Sequence, residues 1–98
     1  MSLTLKPMSV NLYELSVDMQ RKLITFMEES KTFTKSSVAY RAEKLGAPEK
    51  MFVEGMCYHT SDRVADRLIQ KLRKADMIQK LHKRRGGAVV WKWVGEQE

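Results

Sequence analysis

Apolar residues recur along the 98-residue chain in more than one rhythm. Met19, Leu23, Phe26 and Met27 fall three or four positions apart with Ile24 on the flank, while Gln20, Arg21, Lys22 and Glu28 fall elsewhere. That period marks one face of an α-helix. Ser16 stands at its start as an N-cap and Glu29-Ser30 at its end, so the first helix is predicted over about 16–30. Thr32-Phe33 allows a strand fragment. Thr34 is a second N-cap, and Val38, Ala42 and Leu45 form a narrow stripe that closes at Gly46, with Pro48 beyond. A second helix over about 35–45 follows.

The third stripe is the clearest. Val64, Ala65, Leu68, Leu72 and Ala75 share one face at about 100° per residue. Thr60 or Ser61 can cap this helix and Asp62 suits its first turn. Arg63, Arg67, Gln70 and Lys74 land on the opposite face with Asp66 among them, and Asp76 can leave the helix. A helix over about 61–75 would pack by one side and offer a basic stripe on the other.

After Ile78 the pattern becomes strand-like. Residues 78–83 and 88–94 flank Gly86-Gly87, which reads as a β-hairpin. A two-residue loop would put Leu81 on one face and Trp91 and Trp93 on the other. A three-residue loop, Arg85-Gly86-Gly87, pairs Leu81 with Trp91 and gathers Leu81, Val89, Trp91 and Trp93 on one face. Burial of one face fixes register, so the three-residue loop is the expectation. In either register the tip carries Lys83, Arg84 and Arg85.

Two segments are less legible. Residues 1–11 show no periodicity, and 1–14 reads as a flexible arm ahead of a domain spanning 15–94, with 95–98 a short tail. In the 46–60 stretch, Glu49 to Met56 allows a turn or two of helix, weakened by Gly55. Cys57 and His59 lie close together, but no second pair of ligands stands at metal spacing, so no metal site is expected. Cys57 reads as a small buried hydrophobe.

Charge sharpens the picture. Eighteen Lys and Arg against twelve Asp and Glu leave +6, yet Arg63 to Arg85 holds nine cations and two acids and carries +7 by itself. Such a local basic field is the footprint of a nucleic-acid binder. The plainer reading is a solvated helix whose Asp66 pairs with neighbouring cations. No apolar run approaches the roughly 18–20 residues that cross a bilayer. Lys6, Pro7 and Glu14 interrupt the N-terminus as a signal peptide. The single cysteine cannot form an internal disulfide, so a cytoplasmic protein is the default. Catalysis finds little support. Gly86-Gly87 lacks the Lys-Ser/Thr and following helix of a phosphate loop. No nucleophile–base motif involves His59 or His82, and His82 sits beside three cations. No catalytic residue and no cofactor is expected.

Phe33-Thr34 leading into SSVAYRAEKLG, then RVADRLIQKLRKADMI, then the glycine-tipped hairpin, resembles the winged helix-turn-helix superfamily over about residues 15–94. In many winged-helix regulators the third helix ends in Leu-x-x-x-Gly-Leu-Ile. Here Leu72 and Asp76-Met77-Ile78 hold those places, and Asp can adopt the conformation that Gly serves. The 46–60 connection is longer than the three or four residues usual between the two helices of the motif. The resemblance implies a single α+β domain with three main helices and a C-terminal hairpin wing, binding double-stranded DNA as a transcriptional regulator. Helix 61–75, with Ser61 at its start, would enter the major groove. Arg63, Arg67 and Gln70 would approach base edges, and Lys71 and Lys74 would meet phosphates. Lys83, Arg84 and Arg85 of the wing would touch flanking backbone or minor groove. A homodimer is a candidate assembly, since monomers and two-fold dimers read different operators. The rival class is a winged-helix protein-interaction module. It would use Met51, Phe52, Val53, Met56 and Tyr58 as an apolar patch for a partner or second copy.

Overall fold

The computed structural model describes residues 4–95, without the side chains of Lys83 and Arg85. Ser16 opens α1 (Val17–Ser30), its hydroxyl accepting the Met19 N–H at 3.1 Å. Leu23 and Met27 are buried, and Met19, Ile24 and Phe26 pack partly against the same core. Gln20, placed off the apolar stripe by the sequence, is fully buried. Its Nε2 donates to the Lys6 carbonyl at 2.7 Å and the Leu15 carbonyl at 3.3 Å, which lets an amide replace a hydrocarbon there.

The first of those carbonyls, on Lys6, belongs to the segment 1–14 expected to be a flexible arm, and the second, on Leu15, directly follows it. Instead β1 (Met8–Val10) and β2 (Tyr13–Leu15) form an antiparallel hairpin, and Val10 and Leu15 join the core. Met8, Val10, Tyr13 and Leu15 share one face and Ser9 and Glu14 the other. The ordered domain therefore begins well before residue 15; residues 1–3 and 96–98 lie outside the described residues.

β3 (Thr32–Phe33) brings the fully buried Phe33 into the core, worth roughly 1.5–3 kcal/mol by area. α2 (Lys35–Lys44) starts with a reciprocal capping box: Ser37 N–H donates to Thr34 Oγ1 at 3.2 Å, and Thr34 N–H to Ser37 Oγ at 3.0 Å. It ends where Gly46, at φ 114°, lets the Ala47 N–H reach back to the Ala42 carbonyl at 2.9 Å.

The 46–60 stretch folds as neither a loop nor a helical turn. β4 (Met51–Val53) and β5 (Met56–Tyr58) make a second hairpin, closed by Glu54 (φ 50°) and Gly55 (φ 81°). Positive φ at both turn residues matches the right-handed twist of the strands. The run has no polar alternation because apolar residues occupy both faces: Met51, Val53 and Tyr58 are half-buried on one, and Phe52 and Cys57 are exposed on the other. Phe52, Met56 and Cys57 point to solvent, so Cys57 is not the buried hydrophobe expected.

α3 (Thr60–Lys74) packs against α2 and β1. Its end is a Schellman turn. Asp76 takes φ 57°, and the Met77 N–H bonds the Leu72 carbonyl at 3.0 Å. Ala75, assigned to the apolar stripe, is the exposed C-cap.

β6 (Ile78–Arg85) and β7 (Ala88–Trp93) form the third hairpin, and β3 adds to β7 in a sheet ordered β3-β7-β6. The loop is two residues, Gly86-Gly87, and not the expected three: Arg85 pairs with Ala88 and Arg84 with Val89. Both glycines adopt positive φ, 57° and 82°, as a two-residue turn of this kind requires. The register then shifts between Lys80 and Arg84, leaving Leu81, His82 and Lys83 opposite Val90 alone. Beyond this bulge Ile78 pairs with Trp93 and Lys80 with Trp91. Ile78, rather than Leu81, is thus the β6 apolar residue sharing the tryptophan face. Trp91 and Trp93 are half-buried against the core, and Val90 is fully buried. The described residues form an α+β domain of three helices and antiparallel strands.

Candidate nucleic-acid interface

α3 is built to show one side. Val64, Ala65, Leu68, Ile69 and Leu72 are buried, and their spacing sends Arg63, Arg67 and Lys74 outward into solvent. Gln70 and Lys71 are half-buried at the margins of that exposed arc.

Ser61 does not belong to it. The chain leaves β5 and enters α3 at His59, the N-cap, which makes no side-chain capping bond. Thr60 and Ser61 therefore sit inside the first turn, both buried. The Ser61 hydroxyl donates to Glu43 Oε2 at 2.7 Å, tying α3 to α2. A buried serine serving that bond cannot present itself to a base edge, so Ser61 leaves the candidate set.

The remaining cations of the arc are uncommitted. Among the described residues the ion pairs are Lys22–Asp18 at 3.1 Å and Lys35–Asp62 at 3.4 Å. Neither uses Arg63, Arg67, Lys71 or Lys74, and Asp66 makes no ion pair with its helical neighbours. Gln70 is engaged: its Oε1 accepts from Arg73 Nε at 2.9 Å. Arg73, exposed one turn beyond, was not singled out from the sequence, although its i,i+3 spacing from Gln70 signals the pairing.

The β6–β7 hairpin stands beside this helix face. One cleft of about 350 Å³ is lined by Asp66 and Gln70 of α3, by Arg84 and Val89 of the hairpin, and by Lys35 and Ser36 at the start of α2. A second, on the Arg73 side, is shared by Gln70, Arg73, Lys80 and Trp91. Lys35, Arg73 and Lys80 are cations that the linear pattern scattered and the fold gathers around the helix. At the tip Arg84 is exposed, with Nη1 donating to the Gly87 carbonyl at 3.0 Å. That bond uses one of five guanidinium donors and braces the turn. The side chains of Lys83 and Arg85, the other two tip positions singled out from the sequence, lie outside the described residues.

Elsewhere the cations are differently engaged. In the groove between α1 and α2, Lys22 is paired with Asp18, Arg41 lies 5.5 Å from the Phe26 ring centroid, and Glu29 shares the lining. No three His, Cys, Asp or Glu side chains among the described residues are grouped to hold a metal, and no described helix is long and apolar enough to cross a membrane. No protein-family model, curated protein or solved structure matches this chain.

Proposed function

We propose that this chain is a winged helix-turn-helix protein that binds duplex DNA and acts as a transcriptional regulator, with α3 as the reading element and the β6–β7 hairpin as the wing. The observation that carries the proposal is the contiguity of the α3 arc and the hairpin: Arg63, Arg67 and Lys74 stand unpaired and exposed, and Arg84 borders the same cleft as Gln70. An α-helix fits the B-DNA major groove, which is about 12 Å wide. Arg63 and Arg67 are one turn apart, suiting guanine O6/N7 on neighbouring base pairs. Lys71 and Lys74 would neutralise phosphates, which position the protein without specifying sequence. Arg84, with the tip positions Lys83 and Arg85, would lie against flanking backbone or minor groove. The order helix, short strand, helix, helix and C-terminal hairpin, with the sheet ordered β3-β7-β6, supports the winged-helix class once two added hairpins are set aside, β1–β2 before α1 and β4–β5 between α2 and α3.

Selection of bound duplexes from a random pool, done for the parent chain and Arg67→Ala, tests this reading. The parent should enrich a defined site. Arg67→Ala should lose preference at one or two base pairs, at a cost of roughly 1–3 kcal/mol on the parent's site. Enrichment of no sequence by the parent, or an unchanged site for the variant, removes α3 as the reading element.

A further inference from the structure

We infer that Asp66 is a specificity-determining residue of α3, its carboxylate accepting a hydrogen bond from the exocyclic amine of a cytosine in the major groove. The inference rests on the reading of α3 as the DNA-facing helix. At about 100° per residue, Asp66 stands about 60° around the helix axis from Arg63, on the margin of the exposed arc toward the β6–β7 hairpin. It is half-buried there and lines the same cleft as Lys35, Gln70 and Arg84. Both cations of that cleft are directed elsewhere. Lys35 pairs with Asp62 at 3.4 Å, and Arg84 donates to the Gly87 carbonyl at 3.0 Å. Along the helix, the positions four residues before and after Asp66 are Asp62 and Gln70, and neither is a cation. Arg63, three residues back, makes no ion pair. Among the described residues Asp66 therefore has no hydrogen-bond or ion-pair partner. Taking a carboxylate partly out of water without a donor costs free energy, and a donor arriving on a ligand offsets that cost.

The rest of the arc makes this carboxylate distinctive. Arg63, Arg67, Lys71 and Lys74 carry donors only. The Gln70 carbonyl already accepts from Arg73 Nε at 2.9 Å. Between Arg63 and Lys74, Asp66 is thus the outward side chain whose acceptors are uncommitted. Donors read guanine N7 and O6, adenine N7 and thymine O4, whereas the amino groups of cytosine and adenine need an acceptor. Of these two, a carboxylate favours cytosine. The adenine amine lies between two acceptors, its own N7 and O4 of the paired thymine, and both repel an anion. The cytosine amine has one such neighbour, O6 of the paired guanine. A carboxylate facing the duplex also repels phosphates, so Asp66 opposes binding in general while favouring one base pair. A solvated acid that only keeps the helix soluble would do the first and not the second.

The experiment is selection of bound duplexes from a random pool by the full parent chain, Asp66→Asn and Asp66→Ala. Titration of each protein against all four base pairs at every position of the parent's site follows. The parent should require a C·G pair at one position, with the other pairs there binding about tenfold or more weakly. Asparagine offers an acceptor and a donor together, which suits adenine N6 and N7, so Asp66→Asn should move the preference at that position from C·G to A·T. Asp66→Ala should show no preference there, while its affinity for mixed-sequence duplex rises above the parent's because a like charge has gone. Melting temperatures of both variants should match the parent's, since Asp66 has no partner to lose. A move toward A·T at a single position, with parent-like melting, supports the role. A parent site left unchanged by both substitutions overturns the role of Asp66 and leaves α3 as the reading helix. Weaker binding of every sequence alike by both variants, as a structural role would give, overturns it too. A parent that selects no site overturns the reading of α3 and this role together.

Discussion

The hairpins β4–β5 and β6–β7 share a turn and little else. Both close through two residues at positive φ, Glu54-Gly55 and Gly86-Gly87. β6–β7 acquires a third strand from β3, lays Trp91 and Trp93 on the core, and carries its charge at the tip. β4–β5 stands as an isolated pair with Phe52 and Met56 in solvent, 75% and 59% exposed. An isolated two-stranded hairpin is marginal in water, and packing or a third strand is what makes one rigid. The first is therefore anchored to the fold and able to hold cations in a fixed place. The second contributes little to the core and keeps its backbone edges available.

The largest contrast should appear in stability. Trp91→Ala should cost about 2–3 kcal/mol, less than full burial would give because the indole is half-buried. Phe52→Ala should lie within ~0.5 kcal/mol of the parent. Equal chemical-denaturation midpoints for the two variants would erase the distinction between anchored and projecting hairpins.

Next comes the separation of folding from binding at the wing. Replacing Lys83, Arg84 and Arg85 together with Ser should lower DNA affinity about 10–100-fold at moderate salt. The melting temperature should barely move, because exposed charges add little to stability. The bond from Arg84 to the Gly87 carbonyl at 3.0 Å is the one described side-chain contact at stake at that tip. A large drop in melting temperature would make the tip structural. Unchanged affinity would leave the wing without a role on DNA.

Smaller still is the effect at the turn that aims β6. Asp76 holds φ 57° where glycine is unstrained. Asp76→Gly should raise stability by roughly 0.5–1 kcal/mol, since relief of the strain outweighs the added chain entropy of the unfolded state. A loss of stability on thermal melting would mean that the Asp76 side chain contributes more than its backbone geometry costs.

The same contrast explains what the sequence disclosed. Ser16 and Thr34 are unambiguous caps, and Leu23, Val38 and Leu68 repeat at helical spacing because each helix buries one side, so all three helices and the basic arc were legible. Asp76 in place of glycine was legible too, since few residues tolerate that conformation. The β1–β2 hairpin was missed although Met8, Val10, Tyr13 and Leu15 alternate cleanly with Ser9 and Glu14. Its turn, Asn11-Leu12, holds a leucine at φ 68° where glycine is the usual signal. β4–β5 was missed for a different reason: Phe52 and Cys57 put apolar residues on its exposed face as Met51, Val53 and Tyr58 do on its half-buried one, so no period marks the run. The β6–β7 register failed because a bulge leaves no mark in the spacing of apolar residues, so Leu81 displaced Ile78 as the partner of the tryptophans. Ser61 was misplaced by one helical position. Once β5 feeds α3 at His59, the serine turns inward to Glu43.

The most direct measurement of the central claim is a titration of the parent chain against mixed-sequence duplex DNA across a salt series from roughly 50 to 200 mM. Uncommitted cations on α3 and a basic wing tip should engage several phosphates at once. Each phosphate neutralised contributes about −0.9 to the slope of log K against log salt. Four to six contacts therefore give an expected slope of about −4 to −5 and a loss of affinity exceeding about 100-fold over the series. Absence of binding at the lowest salt, or binding indifferent to salt, would contradict a DNA-facing role for α3 and the wing.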